Sequence, residues 1–183
     1  MNLKNKDMLK EAVSKFNTLR NEQNFMELLE NLCDSYVWVP CTAVLSDVDN
    51  MAVETMLDEL NGDYEQLEGK TLTTKEQVRL IPDILKNGDY LFFPIFSSAE
   101  EMGEYGNGFS KIERHILEVI PLARNNEKNV NGIVLNAFSE PFILDSGLYE
   151  VVENMNPRVR QSGNDDERGR YEEANKHTTP YPE

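Results

Sequence analysis

Apolar residues recur at helical spacing at the start of the chain: Met8, Leu9, Ala12, Val13, Phe16 and Leu19 share one side of KNKDMLKEAVSKFNTLR, a period that predicts an amphipathic helix. The polar run NEQN at 21–24 interrupts it. Phe25, Leu28, Leu29 and Leu32 then mark a second helix through FMELLENLCDS. A helix with one apolar stripe has to bury it, so both are expected to pack against a sheet.

The period then changes. SYVWVPCTAVLS at 35–46 is rich in β-branched and aromatic residues and reads as the first strand. Pro40 cannot donate to a ladder and suggests an edge or a bulge. The segment SDVDNMAVETMLDELNGDYEQLEGK predicts a helix capped by Asp49 or Asn50 and stopped by Asn61-Gly62, with Met51, Met56, Leu57 and Leu60 on one side. In QVRLIPDILKNGDYLFFPIF, two apolar runs flank Lys86-Asn87-Gly88-Asp89, the pattern of a hairpin whose Asn-Gly supplies positive φ angles.

Serines at 97 and 98 are each followed three residues later by a glutamate, Glu100 and Glu101. This spacing is a capping box and predicts a short helix after the strand, with EYGNGFSK as a loop beyond it. KIERHILEVIPLARNN carries Ile112, Ile116, Leu117, Ile120 and Ala123 at helical spacing, so a helix kinked at Pro121 is expected there. NGIVLNAF and PFILD read as two more strands, and SGLYEVVENM as a last helix capped by Ser146. From Asn156 the sequence loses its aliphatic residues and mixes both charges with Gly and Pro, the composition of a disordered tail. The whole predicts one α+β domain with a mixed, mainly antiparallel sheet of about five strands, packed by N-terminal and later helices.

Composition sharpens this picture chiefly through charge. The formal net charge is −15 over 183 residues, which argues against binding nucleic acid or an anionic membrane surface, since phosphate contacts need clustered Lys and Arg. No apolar run approaches the roughly 20 residues of a membrane span, and MNLKNKDMLKEAV lacks the apolar middle of a signal peptide, so a cytoplasmic location is expected. The acids are unevenly placed. Between Arg20 and Lys70 there is no Lys, Arg or His, while Glu22, Glu27, Glu30, Asp34, Asp47, Asp49, Glu54, Asp58, Glu59, Asp63, Glu65 and Glu68 all fall there.

Candidate chemistry is sparse. Cys33 and Cys41 form no spaced framework and are expected as reduced thiols. Cys41, just beyond the first strand, is the residue that an alternative reading, a thiol-dependent enzyme or sulfur carrier, would use; CTAVLSDVD offers no cation to lower its pKa. His115 and His177 have no zinc-ligand spacing with the cysteines. Asp47-Val48-Asp49 resembles the start of a calcium loop, but Met51, Ala52 and Asp58 stand at its fifth, sixth and twelfth positions, and the motif fails. Gly106-Asn107-Gly108 lacks the third glycine of a dinucleotide loop, and no phosphate-cradling GxxxxGK[ST] occurs. No cofactor, metal or catalytic residue is expected.

The succession FFPIFSSAEEM, FSKIERHILEVIPLA and GIVLNAFSEPFIL, with the helix-then-YVWVP opening at 24–40, resembles the SseB N-terminal domain family. Ser97 stands where that family usually has Thr, Ala137 where it often has Pro, and the acidic stretch is longer than the usual connection. The resemblance implies a compact domain, expected over residues 1–154; the acidic stretch at 47–70 is then an insertion in it, and the composition leaves a polar tail at 155–183. It also implies a bacterial cytoplasmic protein without an established catalytic site. Sulfurtransferase activity does not carry over, because neither cysteine sits in a suitable loop.

The function expected is therefore a non-enzymatic protein-interaction or regulatory module. Its distinctive surface is the acidic stretch Asp47, Asp49, Glu54, Asp58, Glu59, Asp63, Glu65 and Glu68, suited to a basic protein partner. An immunity protein for a basic toxin or an adaptor would be concrete forms of it.

Overall fold

A computed structural model of the chain describes residues 3–67 and 73–156. Of the polar tail expected at 155–183, residues 157–183 lie outside them. Two helices open the fold, α1 (Leu3–Thr18) and α2 (Glu22–Leu32). Asn21 separates them by capping α2, its side chain accepting from Asn24 N at 2.8 Å. Leu9, Ala12 and Val13 of α1 and Leu28, Leu29 and Leu32 of α2 are buried, whereas Met8 and Leu19 lie at the margin of the stripe and stay exposed.

Among the described residues seven strands come after them, interleaved with three further helices: β1 (Tyr36–Val44), α3 (Asp47–Glu59), β2 (Arg79–Pro82), β3 (Leu85–Asn87), β4 (Tyr90–Ile95), β5 (Ser110–His115), α4 (Ile116–Arg124), β6 (Gly132–Leu135), β7 (Phe142–Asp145) and α5 (Ser146–Met155). They form a three-stranded sheet, β2-β1-β5, and a four-stranded sheet, β3-β4-β6-β7, in which only the β4–β6 pairing is parallel. The mixed, mainly antiparallel α+β architecture is as expected, with seven strands in two sheets in place of one sheet of about five. Trp38 and Phe96 join the sheets by exchanging both backbone hydrogen bonds, at 2.8 and 2.9 Å.

That seam explains two prolines. On β4, β3 covers one edge as far as Phe92 and β1 meets it at Phe96, and Pro94 sits between, where no N–H is needed. On β1, Pro40 lies between the Phe96 bridge and the β2 pairing that begins at Cys41, and its carbonyl accepts from Asp83 N at 2.9 Å. Pro40 thus marks a change of partner on an interior strand, not an edge or a bulge.

Odd-numbered β1 residues Val37, Val39 and Cys41 join Phe93, Ile95, Ile133, Leu135, Phe142 and Leu144 on the face covered by α1, α2, α4 and α5. Phe16, Phe25 and Phe142 pack with ring centroids 5.6–6.3 Å apart, tying both N-terminal helices to β7.

Several local expectations are corrected. The segment expected as one kinked helix is the strand β5 followed by α4, because Tyr36 to Cys41 pair with residues 110–115. The break falls at His115, and Pro121 is accommodated inside α4. The hairpin loop is Gly88-Asp89, with Asn87 still paired to Tyr90; only Gly88 of the two has positive φ, the pattern of a type II′ turn. Caps fall earlier than expected: Ser46, not Asp49 or Asn50, caps α3, and Asp145, not Ser146, caps α5 by accepting from Gly147 N and Leu148 N. The stop at Asn61-Gly62 is as expected, with φ of 52° and 78° and Gly62 N donating to Leu57 O. Asn156, expected to begin the tail, is fully buried and donates through Nδ2 to Cys33 O at 2.5 Å, so the domain extends through it.

Candidate functional site

The acidic stretch is built around α3. Asp47, Glu54, Asp58 and Glu59 are exposed on this helix, and Asp63 and Glu65 are exposed beyond it; Glu68 lies outside the described residues. Among the described residues, none of the four helix carboxylates forms an ion pair with a Lys or Arg. Asp63 is occupied locally, accepting from Glu65 N and Gln66 Nε2.

Asp49 departs from this group. It is 2% exposed and its carboxylate accepts from Lys75 N at 2.7 Å, Glu76 N at 3.2 Å and Ser46 Oγ at 2.9 Å. The Lys75 amide is the largest influence on its carboxyl and, with the other donors, holds it below its ordinary pKa against the opposing effect of burial. Asp49 therefore fastens the first turn of α3 to the segment leading into β2, and it is not part of the exposed face. It is also the one buried residue of α3: Ala52, Val53, Met56 and Leu57 are half-buried, as is Leu60 at its C-terminal cap, and Val48 and Met51 are 45% and 66% exposed.

The β4 exit gives a second polar group. Ser97 is 1% exposed and does not cap a helix. Its N–H donates to Asn136 Oδ1 at 2.9 Å, and Asn136 Nδ2 donates to Ser97 Oγ at 3.0 Å. The chain then enters a 3-10 segment, Glu100–Gly108, that starts at Ala99 without a side-chain cap. Glu101 turns instead to Lys10 Nζ at 2.7 Å and Ser139 Oγ at 2.5 Å, and both partners lower its pKa, Lys10 foremost. The capping-box expectation at both serines is overturned by these longer-range partners. Asn136 escaped the sequence reading as a structural residue, although LNAFS carried a usable signal: Asn tolerates positive φ, and here φ is 52°.

Neither thiol is placed for nucleophilic work. Cys41 lies within β1, fully buried, and burial pushes its thiol up to about 11, outweighing the nearby Arg114. Cys33 is buried at the end of α2, its thiol donating to Glu30 O. His115 caps α4: Nδ1 accepts from Leu117 N at 3.3 Å, and Nε2 lies 3.5 Å from Asp34 Oδ1. Its ring stands edge-on to Tyr36, 5.1 Å away.

Among the described residues no three His, Cys, Asp or Glu side chains converge as metal ligands, and no helix is long and apolar enough to cross a membrane. No protein-family model, curated protein or solved structure matches the chain.

Proposed function

We propose that the chain is a protein-interaction module of the SseB N-terminal kind that its motifs resemble, and that it receives a basic protein partner on the exposed carboxylates of α3. One observation carries this reading: α3 spends 13 residues, buries only Asp49 among them, and keeps Asp47, Glu54, Asp58 and Glu59 in solvent with no Lys or Arg of the described residues paired to them. Glu54 and Asp58, at i and i+4 on this helix, repel one another by a few tenths of a kcal/mol. A cationic partner relieves that repulsion and is steered to the surface by the same field. A neutralising role or an adaptor role toward a basic protein both use this chemistry.

The decisive comparison is between the native chain and a variant carrying Asp47→Asn, Glu54→Gln, Asp58→Asn and Glu59→Gln. It leaves Asp49 in place, which removal of the whole segment would not. Proteins retained by the native chain at low salt should be lost by the variant and by the native chain at high salt. An identical set of retained proteins in all three cases overturns the reading.

A further inference from the structure

Position along α3 sorts its exposed residues into a pattern. Asp47, Met51, Glu54 and Asp58 stand at i, i+4, i+7 and i+11 and share one ridge. Val48, Thr55 and Glu59 form the row beside it. Met51 thus sits at the centre of the exposed face with a carboxylate one turn before it and another one turn after it. Val48 flanks it at 45% exposure.

Helix formation gives no reason for these two apolar side chains. The first turn is fixed by Ser46, whose Oγ accepts from Asp49 N, and by the Asp49 carboxylate on the amides of Lys75 and Glu76. The last turn is closed through Gly62 N on Leu57 O. A helix held at both ends would stand equally well with polar residues at 48 and 51. Methionine is a flexible, polarisable side chain that adapts to irregular apolar partners.

We infer that α3 docks an amphipathic basic helix of another protein: its apolar stripe seats on Met51 and Val48, and Lys or Arg on its flanks pair with Asp47, Glu54, Asp58 and Glu59. The inference rests on the acidic-surface reading above and adds the shape of the partner to it. Charge complementarity selects this occupant. A second copy of the chain, at −15, would set carboxylate against carboxylate if the same faces met. An extended basic segment would satisfy the charges without using the i, i+4 spacing of the ridge. A helix laid along α3 repeats that spacing and matches its length of about 20 Å with three to four turns.

Two synthetic peptides of identical composition test it, one with Leu on a single helical stripe between Lys flanks, the other scrambled to equal charge and hydropathy without a stripe. Each is titrated into the full chain and followed by fluorescence anisotropy. The striped peptide should bind at least about tenfold tighter, and Val48→Ser with Met51→Ser should remove that advantage while leaving the scrambled peptide's affinity unchanged. Equal affinities for the two peptides overturn the helix inference and leave the acidic-surface reading standing. No measurable binding of either peptide overturns both. A striped-peptide advantage that survives the double substitution places the contact elsewhere and also overturns the inference.

Discussion

The side chains of Ser97 and Asn136 meet at the carboxyl ends of two neighbouring parallel strands, with Asn136 Oδ1 2.9 Å from Ser97 N and Nδ2 3.0 Å from Ser97 Oγ. Asn136 also donates its own N–H to Ile95 O at 2.9 Å. One asparagine thus satisfies the Ser97 amide, the second past β4, and fixes the turn that leads into β7. Both residues are at most 2% exposed, so no water replaces a lost partner.

Substitution at Asn136 separates the two parts of this role. Asn136→Gly keeps the positive φ but leaves the buried Ser97 amide unpaired, for about 1–3 kcal/mol. Asn136→Ala adds the left-handed backbone penalty of about 1–2 kcal/mol. Ser97→Ala should cost about 1 kcal/mol, and Ser98→Ala, which breaks no cap, should stay within about 0.5 kcal/mol. Urea unfolding ranks the four; equal costs at Ser97 and Ser98 would restore the capping box.

Asp49 makes the attachment of α3 dependent on pH. Its folded-state pKa lies below the ordinary 3.8, so its contribution to stability is complete above that value and is lost as pH falls through the folded-state pKa. Hydrogen exchange at the Lys75 and Glu76 amides should be slow in the native chain and fast in Asp49→Ala near neutral pH. The difference should vanish in acid below the folded-state pKa. A difference that persists there would show that the carboxylate charge is not what holds the segment.

Much of the fold was legible because its signals are local. The apolar spacing of Leu9, Ala12 and Val13, or of Leu28, Leu29 and Leu32, is the burial pattern itself. The caps and the hairpin loop were missed by a few residues at most, whereas the larger failures share one physical origin, a partner distant in sequence. Ile112 and Ile116 have helical spacing, yet pairing with Tyr36–Cys41 makes residues 110–115 a strand. Ser97 satisfies the capping pattern, yet Asn136 takes it from 39 residues away. In the candidate site the acidic stretch was legible as composition. That Asp49 alone turns inward was not, because what draws it in besides Ser46 is the backbone amides of Lys75 and Glu76, 26 and 27 residues away, which carry no sequence signature.

Cys41 supplies a kinetic prediction. With its thiol up to about 11, only about one molecule in a thousand carries the thiolate at pH 8. Alkylation of Cys41 in the folded chain should be at least about a hundredfold slower than that of a free thiol of pKa about 8.5, and urea should restore the ordinary rate. Rapid labelling without urea, located at Cys41 by mass spectrometry, would revive a thiol-based activity.

Gly132 tests the pairing of β6 with both neighbours. A Cβ there would lie 2.8 Å from Leu144 O and 3.4 Å from Asp145 Cα, both main-chain atoms of β7. β6 cannot move aside, since Phe92 to Ile95 of β4 hold its other edge in register. Gly132→Ala should therefore cost about 1–3 kcal/mol, as overpacking does where the surroundings cannot yield, which lowers Tm by about 2–4 °C per kcal/mol for a chain of this size. Gly108→Ala is the control: its added Cβ meets nothing within 4 Å and its φ is not positive, so Tm should stay nearly unchanged. If the two variants melt together with the native chain, β6 and β7 do not approach as closely as this register requires. The left-handed turn that Asn136 supports between them would then lose its purpose.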